Sequence, residues 1–352
     1  MSHIICVGAV YMDTILSVPH FPQEDSKLRA TDIVRRRGGN TANTLEVISQ
    51  LLPASNFDQE TLTYATELLL LTVLPDQTSP DTQTVITSLP DVSTRLFQYR
   101  PGEHVAASSY IIQSAENLTR TIVSANPLEE MTVAEFKAAI EPLIPAGQYE
   151  ADVWIHFEGR MPEVLLPCVQ WLRKMYGYHG KVHVSVECEK PDRTVMKDVA
   201  ALADVVFYSR LWAEAHTDTS ICAPPVTAES FLRSQIPFTS PDCTMICTWG
   251  SSGATALRKA NSECEILESV QGWKPPTDHH TPQPVDSVGA GDTFIAGMLY
   301  AMVEQKRWGV AERLAFANEL AGRKVHRQGF EGLGEEIKGT DRWEEPLASP
   351  PQ

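Results

Sequence analysis

No apolar run in this 352-residue chain comes near the roughly 20 residues a membrane-spanning helix needs; the densest, Leu68 to Leu74, is far shorter. Cationic charge is also scarce, with 29 Lys and Arg against 45 Asp and Glu and a net charge of −16. That balance repels polyanions and argues against a nucleic-acid or anionic-membrane partner, while a small phosphate ligand needs only local donors. Cysteine pairs are missing too. Cys6, Cys168, Cys188, Cys222, Cys243, Cys247 and Cys264 show no C-x-x-C or His spacing that would hold zinc, and they read as buried thiols in a reducing compartment. Met1 to Val10 lacks a basic leader and a cleavage site, so it is expected to be a first strand of a cytoplasmic protein. Internal repeats are absent.

What the chain does have is 43% apolar and 21% charged residues, enough for a sizeable core in two domains or in one large domain with an accessory element. Ile4 to Gly8 is a continuous apolar run broken by glycine, and similar runs recur at Val153 to Phe157, Val182 to Val186, Val205 to Tyr208 and Met245 to Trp249. Segments of helical spacing separate them, which predicts a doubly wound α/β domain with a parallel sheet. Thr14 to Val18 with Leu28 to Arg36, and Ser109 to Ile112 with Thr119 to Ser124, alternate polar and apolar residues without intervening helices. They predict a small antiparallel sheet, as a lid or an edge hairpin. In residues 53–105 the pattern predicts a helix over Leu62 to Leu71 and one or two strands among prolines. Arg35, Arg36 and Arg37 read as the solvated end of a lid strand.

The stretch Asp286-Ser-Val-Gly-Ala-Gly-Asp292-Thr-Phe is the most informative. Phe294, Ile295, Met298, Leu299, Met302 and Val303 follow at helical spacing, so Asp292 lies where a buried helix begins. Gly289, Ala290 and Gly291 carry little side-chain bulk, so their backbone N–H groups can approach an anion at the helix N-terminus. Asp292 is then placed to take a proton from an attacking hydroxyl in a phosphoryl transfer. A glycine loop with Asp as a helix cap is the plainer reading of the same residues.

Asp286 to Leu299 resembles the C-terminal signature of the ribokinase-like (PfkB) carbohydrate kinases. Arg37-Gly38-Gly39-Asn40-Thr41-Ala42-Asn43 resembles that family's sugar-binding element at the start of a helix. Within the family, Trp154 to Arg160, Val184 to Pro191, Cys247 to Trp249 and Gln328 to Gly332 are similar to the ketohexokinase subgroup. The likeness covers residues 3 to about 50 and 106 to 333.

It implies a ribokinase-like, doubly wound, mainly parallel sheet with helices on both faces and a small β-sheet lid. The kinase domain would span 1–338, with the lid from about 14–36 and 106–125 and a disordered tail over 339–352. Asp13, Asp25, Gly39, Asn40, Asn43 and Asp292 match sugar-contacting positions, Asp292 being the catalytic base and Gly289, Ala290 and Gly291 the anion hole. Arg120, the Gly250-Ser251-Ser252-Gly253 loop, Gly289, Gly291 and Asn318 match the nucleotide side. Glu187, Glu189 and Lys190 are expected at a strand end facing the cleft, as a catalytic cluster or an ion pair.

The resemblance implies ATP as co-substrate with Mg2+, leaves potassium open, and implies a homodimer through the lid sheet. The expected reaction is phosphorylation of a ketose, fructose to fructose 1-phosphate. Ribose, another sugar or a nucleoside as acceptor, and a non-catalytic sugar- or nucleotide-binding regulator, are the alternatives. The chain departs from the wider family in lacking its Asn-x-x-Glu element: Ser209-Arg210-Leu211-Trp212 stands there, so the protein side of the metal site is unassigned.

Overall fold

Ile4 and Cys6 of the first strand point into one core, and Ile5 and Val7 into another. This is what period-two side chains must do when both faces of a sheet are covered. The structure, a computed structural model, describes residues 2–53, 57–58, 63–116, 119–144, 152–178, 180–217, 225–259, 265–276 and 284–343.

Twelve strands matter for the architecture. They are β1 (Ser2–Val7), β2 (Tyr11–Val18), β3 (Asp32–Gly38), β4 (Thr66–Leu71), β5 (Ser108–Ser114), β6 (Arg120–Ala125), β7 (Val153–Phe157), β8 (Val182–Cys188), β9 (Val205–Tyr208), β10 (Thr244–Thr248), β11 (Ala254–Lys259) and β12 (Glu265–Val270). Eight form the main sheet in the order β12-β11-β10-β9-β8-β7-β1-β4. From β4 to β10 the pairs are parallel, and β11 and β12 close one edge as an antiparallel hairpin.

Helices cover both faces. The helices α1 (Asn40–Leu51), α8 (Ala290–Val303), α9 (Val310–Val325) and α10 (Leu333–Lys338) pack their apolar residues into one core. Those of α3 (Val133–Ile140), α4 (Pro162–Tyr176), α5 (Met196–Ala200), α6 (Arg210–His216) and α7 (Ala228–Gln235) fill the other. At Gly297 the contact between α8 and α9 is so close that a Cβ would lie 2.7 Å from the Ala317 Cα.

The strands β1 and β7 to β10 lie where the apolar runs predicted them, β11 and β12 add a hairpin that no run predicted, and residues 53–105 do not follow the expectation. Thr66–Leu71 is the edge strand β4, not a helix, because Leu68 to Leu71 are all buried and alternate between the two cores. Leu62 lies outside the described residues. The helix among the described residues of this region is α2 (Pro80–Ser88), which starts with proline and is capped by the Ser79 side chain accepting from the Thr82 amide.

The small sheet forms from both predicted segments, in the order β6-β5-β2-β3. It is mixed instead of antiparallel, because its central pair, β2 and β5, runs parallel. Both strands start beside the body, where the Met12 amide donates to the Ala107 carbonyl at 2.8 Å.

The packed body also runs past 338. Trp343 packs tilted against Trp308 and edge-to-face against Phe316, each at 5.3 Å between ring centroids, and donates from Nε1 to Glu319 at 3.1 Å. The rest of the expected tail, 344–352, lies outside the described residues, as do Cys222 and Cys264. The other five cysteines are buried and free. No helix among the described residues is long and apolar enough to cross a membrane.

Candidate active site

Loops at the carboxyl ends of β1, β7, β8, β9 and β10 face the small sheet across a cavity of about 430 Å³. In open parallel sheets this edge is where ligands bind. Asp292 sits at its floor in the first turn of α8, only 8% exposed. Gly289 makes the turn into that helix with φ of 80°, and a side chain there would run into the Phe330 ring. The preceding strand of chain is held by Lys324, which is fully buried and donates from Nζ to the Asp286 carbonyl at 2.9 Å and to its carboxylate at 3.0 Å.

Opposite Asp292 stands the start of α1. Gly39 precedes that helix with φ of 108°, close against the Ala9 backbone, a conformation open to glycine. Asn43, one turn into the helix, donates from Nδ2 to Asp292 Oδ2 at 2.7 Å. Asn40 donates from Nδ2 to Glu187 Oε2 at 3.3 Å. Thr44 adds a hydroxyl to the Asp292 carbonyl at 3.3 Å.

Electrostatics follow from this crowding. Burial pushes the Asp292 carboxyl up to about 8; the negative charge of Glu187 adds to the rise, and the Asn43 hydrogen bond opposes it. Glu187 is raised well above the ordinary carboxylate range by burial, then by Glu158 and Glu189. Beside it, His156 is pushed down to about 3 by burial and is therefore a neutral imidazole, 3.1 Å from Glu187 and 2.9 Å from the Ser185 hydroxyl. Asp13 is raised by burial as well, with Arg36 and a hydrogen bond to Ser109 working against it.

Of the residues singled out in the sequence, Asp13, Gly39, Asn40, Asn43, Arg120, Gly289, Gly291 and Asp292 line the one cavity, together with Glu187, Glu189 and Lys190. Arg120 reaches over from β6 and donates from Nη1 to the Ser287 hydroxyl at 2.9 Å. Ala290 opens α8 without lining the cavity, and its amide turns back to the Ser287 carbonyl at 3.4 Å. Asp25 is exposed on the loop between β2 and β3, outside the cavity lining, at a φ of 61°.

The loop from Gly250 to Gly253 is the turn between β10 and β11 and also stays outside the lining, next to Thr248, which lines it. It packs against residues 270–272, and Asn318 donates to the Gln271 carbonyl at 2.9 Å. Gly250 to Gly253 and Asn318 thus share one ridge beside the cavity.

Two residues escaped the sequence reading. Arg160, with Tyr11, lines the cavity; it donates to the Tyr11 hydroxyl at 2.8 Å and to Glu158 at 2.9 Å. Its position just past the end of a buried strand was the available signal. Arg37 is the reverse of the solvated strand end expected: it is 7% exposed, paired with Glu46, and bonded from Nη1 to Asn43 Oδ1 at 2.7 Å. Among the described residues no group of three His, Cys, Asp or Glu side chains is arranged to hold a metal ion.

Comparison with known proteins points the same way. The pfkB family carbohydrate kinase profile matches residues 86–333. Mouse ketohexokinase (Mus musculus) is 28% identical over 342 residues, covering 94% of this chain and 98% of that one. Among solved structures, a ribokinase from Giardia lamblia superposes with a TM-score of 0.71 at 14% identity, covering 96% of this chain and 97% of that one. A ribokinase from Cryptococcus neoformans in complex with ADP gives 0.66 at 13% identity, covering 96% and 99%.

Proposed function

The chain belongs to the pfkB family of carbohydrate kinases, and from that premise we propose that it transfers the γ-phosphoryl group of ATP to a primary hydroxyl of a ketose, forming fructose 1-phosphate from fructose. One observation carries the chemistry. A buried carboxylate, Asp292, opens onto a polar cavity at the N-terminus of a helix, directly behind the Gly289 to Gly291 turn.

Asp13, Gly39, Asn40 and Asn43 offer the mixed acceptors and donors that several sugar hydroxyls require in fixed positions. Asp292 takes the proton of the attacking hydroxyl, a task suited to a base whose pKa is near neutrality. The departing charge is met by the backbone of Gly289 and Gly291 and by Arg120, with the nucleotide running past Thr248 toward the ridge of Gly250 to Gly253 and Asn318. Magnesium would be carried in on the ATP phosphates and would neutralise their charge there, since the described residues include no cluster of three His, Cys, Asp or Glu side chains to hold it. The small sheet closes over the sugar and limits water.

The likeness to mouse ketohexokinase supports the ketose as acceptor. The apolar side chains Ile33, Tyr110 and Val123, exposed on the face of the small sheet away from the cavity, support a homodimer through that sheet. Buried free thiols fit a cytoplasmic setting.

An assay of ADP release across fructose, tagatose, ribose and adenosine tests the reading. Preferred turnover of fructose supports it, and preference for ribose or adenosine keeps the kinase but moves the acceptor. A folded protein that turns over none of them overturns it in favour of a regulator.

A further inference from the structure

We infer that Arg37 is a positioning residue, which through Asn43 fixes which oxygen of Asp292 is free to act as the base. A guanidinium carries donors only, so the Asn43 atom 2.7 Å from Arg37 Nη1 has to be the carbonyl oxygen. That settles the orientation of the amide. Its NH2 end faces Asp292 and donates to Oδ2 at 2.7 Å. Oδ2 is thereby occupied, and Oδ1 is the oxygen left to receive a proton from the acceptor hydroxyl.

Without Arg37 the amide is free to turn over, and its carbonyl oxygen would then oppose a carboxylate, an arrangement that holds only with the carboxyl protonated. Glu46, nine residues along on α1, fixes the guanidinium from the other side.

Stability alone does not call for this arrangement. Arg37 is almost wholly buried, its Nε lacks a partner, and burial pulls its pKa down against the opposing pull of Glu46 and Asp292. A buried ion pair with an unsatisfied donor costs about as much as it returns, and an apolar pair would fill the same space. The groups whose charges reach Asp292 are Glu187, Glu189 and Glu158 from the strand ends, Lys324 from α9, and Arg37 from β3. Of the two cations, only Arg37 is hydrogen-bonded to a side chain that touches the carboxylate.

The catalytic half of this inference rests on the kinase reading, so the test has two arms. The first is a 13C NMR titration of aspartate-labelled protein, with the Asp292 carboxyl assigned by its loss in Asp292→Asn. In Arg37→Met the Asp292 midpoint is expected to rise by about one pKa unit, and Arg37→Lys, which keeps a charged donor, to recover part of the shift. Should Arg37→Met fail to fold, Arg37→Met with Glu46→Leu removes both charges together and gives the same readout. An unmoved midpoint in a folded variant overturns the inference.

The second arm is kinetic. Arg37→Met is expected to lower kcat roughly ten-fold at pH 7 with a smaller change in KM, and to displace the acid limb of the kcat profile in step with the NMR midpoint. A wild-type protein without turnover would defeat the kinase reading, while the titration would still decide whether Arg37 governs Asp292.

Discussion

Arg120, on the outer strand of the small sheet, donates from Nη1 to the Ser287 hydroxyl at 2.9 Å, so the lid touches the very loop that leads into the Gly289 turn. An arginine in this place can exchange the hydroxyl for a phosphate oxygen, a charge-assisted bond of roughly 1.5–3 kcal/mol. Arg120→Ala is therefore expected to raise the KM for ATP by about ten-fold or more. Initial rates with ATP varied at saturating sugar check this. An unchanged KM would remove Arg120 from the nucleotide site.

Lys324 and Asp286 form a different kind of contact. The lysine is fully buried, and it holds both the backbone and the side chain of the residue that begins the loop leading into the Gly289 turn. Replacing it leaves the half-buried carboxylate with only the longer ion pair to Arg36, at 3.5 Å. Lys324→Met is expected to cost about 3–5 kcal/mol in urea unfolding, and Lys324→Met with Asp286→Leu to recover part of that. A loss below about 1 kcal/mol would show the pair to be incidental.

Asp292, Asn43 and the glycines were legible because their meaning is local: a turn, a helix start and a small-residue gap can be read within ten residues. Arg37 was not. Three arginines in a row look like solvent-facing charge, and only the packing of α1 against α8, some 250 residues later in sequence, buries the third of them. The strand at Thr66 to Leu71 failed for another reason, since a run of four leucines has no period to separate a helix from a strand buried on both faces. The β11–β12 hairpin escaped because β12 lies at an edge and keeps charged residues such as Glu265 and Glu268.

The outer face of the small sheet yields a test of assembly. Ile33 is 64% exposed and Val123 60%, on the two outer strands of a four-stranded sheet. A second copy covering that face would bury both. Sedimentation of the wild type is expected to give a dimer, and Ile33→Glu with Val123→Glu to give monomers at the same concentration, because burying two carboxylates costs more than the face returns. A monomeric wild type would sink the proposed dimer.

The raised pKa of Asp292 also makes a prediction about stability in the free protein, whose sign can be worked out. In the unfolded chain the carboxyl titrates near 4, and in the folded protein it is held up to about 8. Below pH 4 both states carry the proton, and Asp292 costs nothing. As pH rises from 4 towards 8 the unfolded chain releases its proton while the folded state keeps it, so stability drains away at up to about 1.4 kcal/mol per pH unit. Asparagine at this position stays neutral and can still accept from Asn43 with its carbonyl oxygen. Asp292→Asn is therefore expected to match the wild type in thermal stability near pH 4 and to exceed it increasingly up to pH 8, while losing sugar phosphorylation throughout. A stability difference that stays flat between pH 5 and 8 would mean that Asp292 is not held protonated, and the base would have to be sought among the other buried carboxylates of the cavity, Glu187 and Asp13.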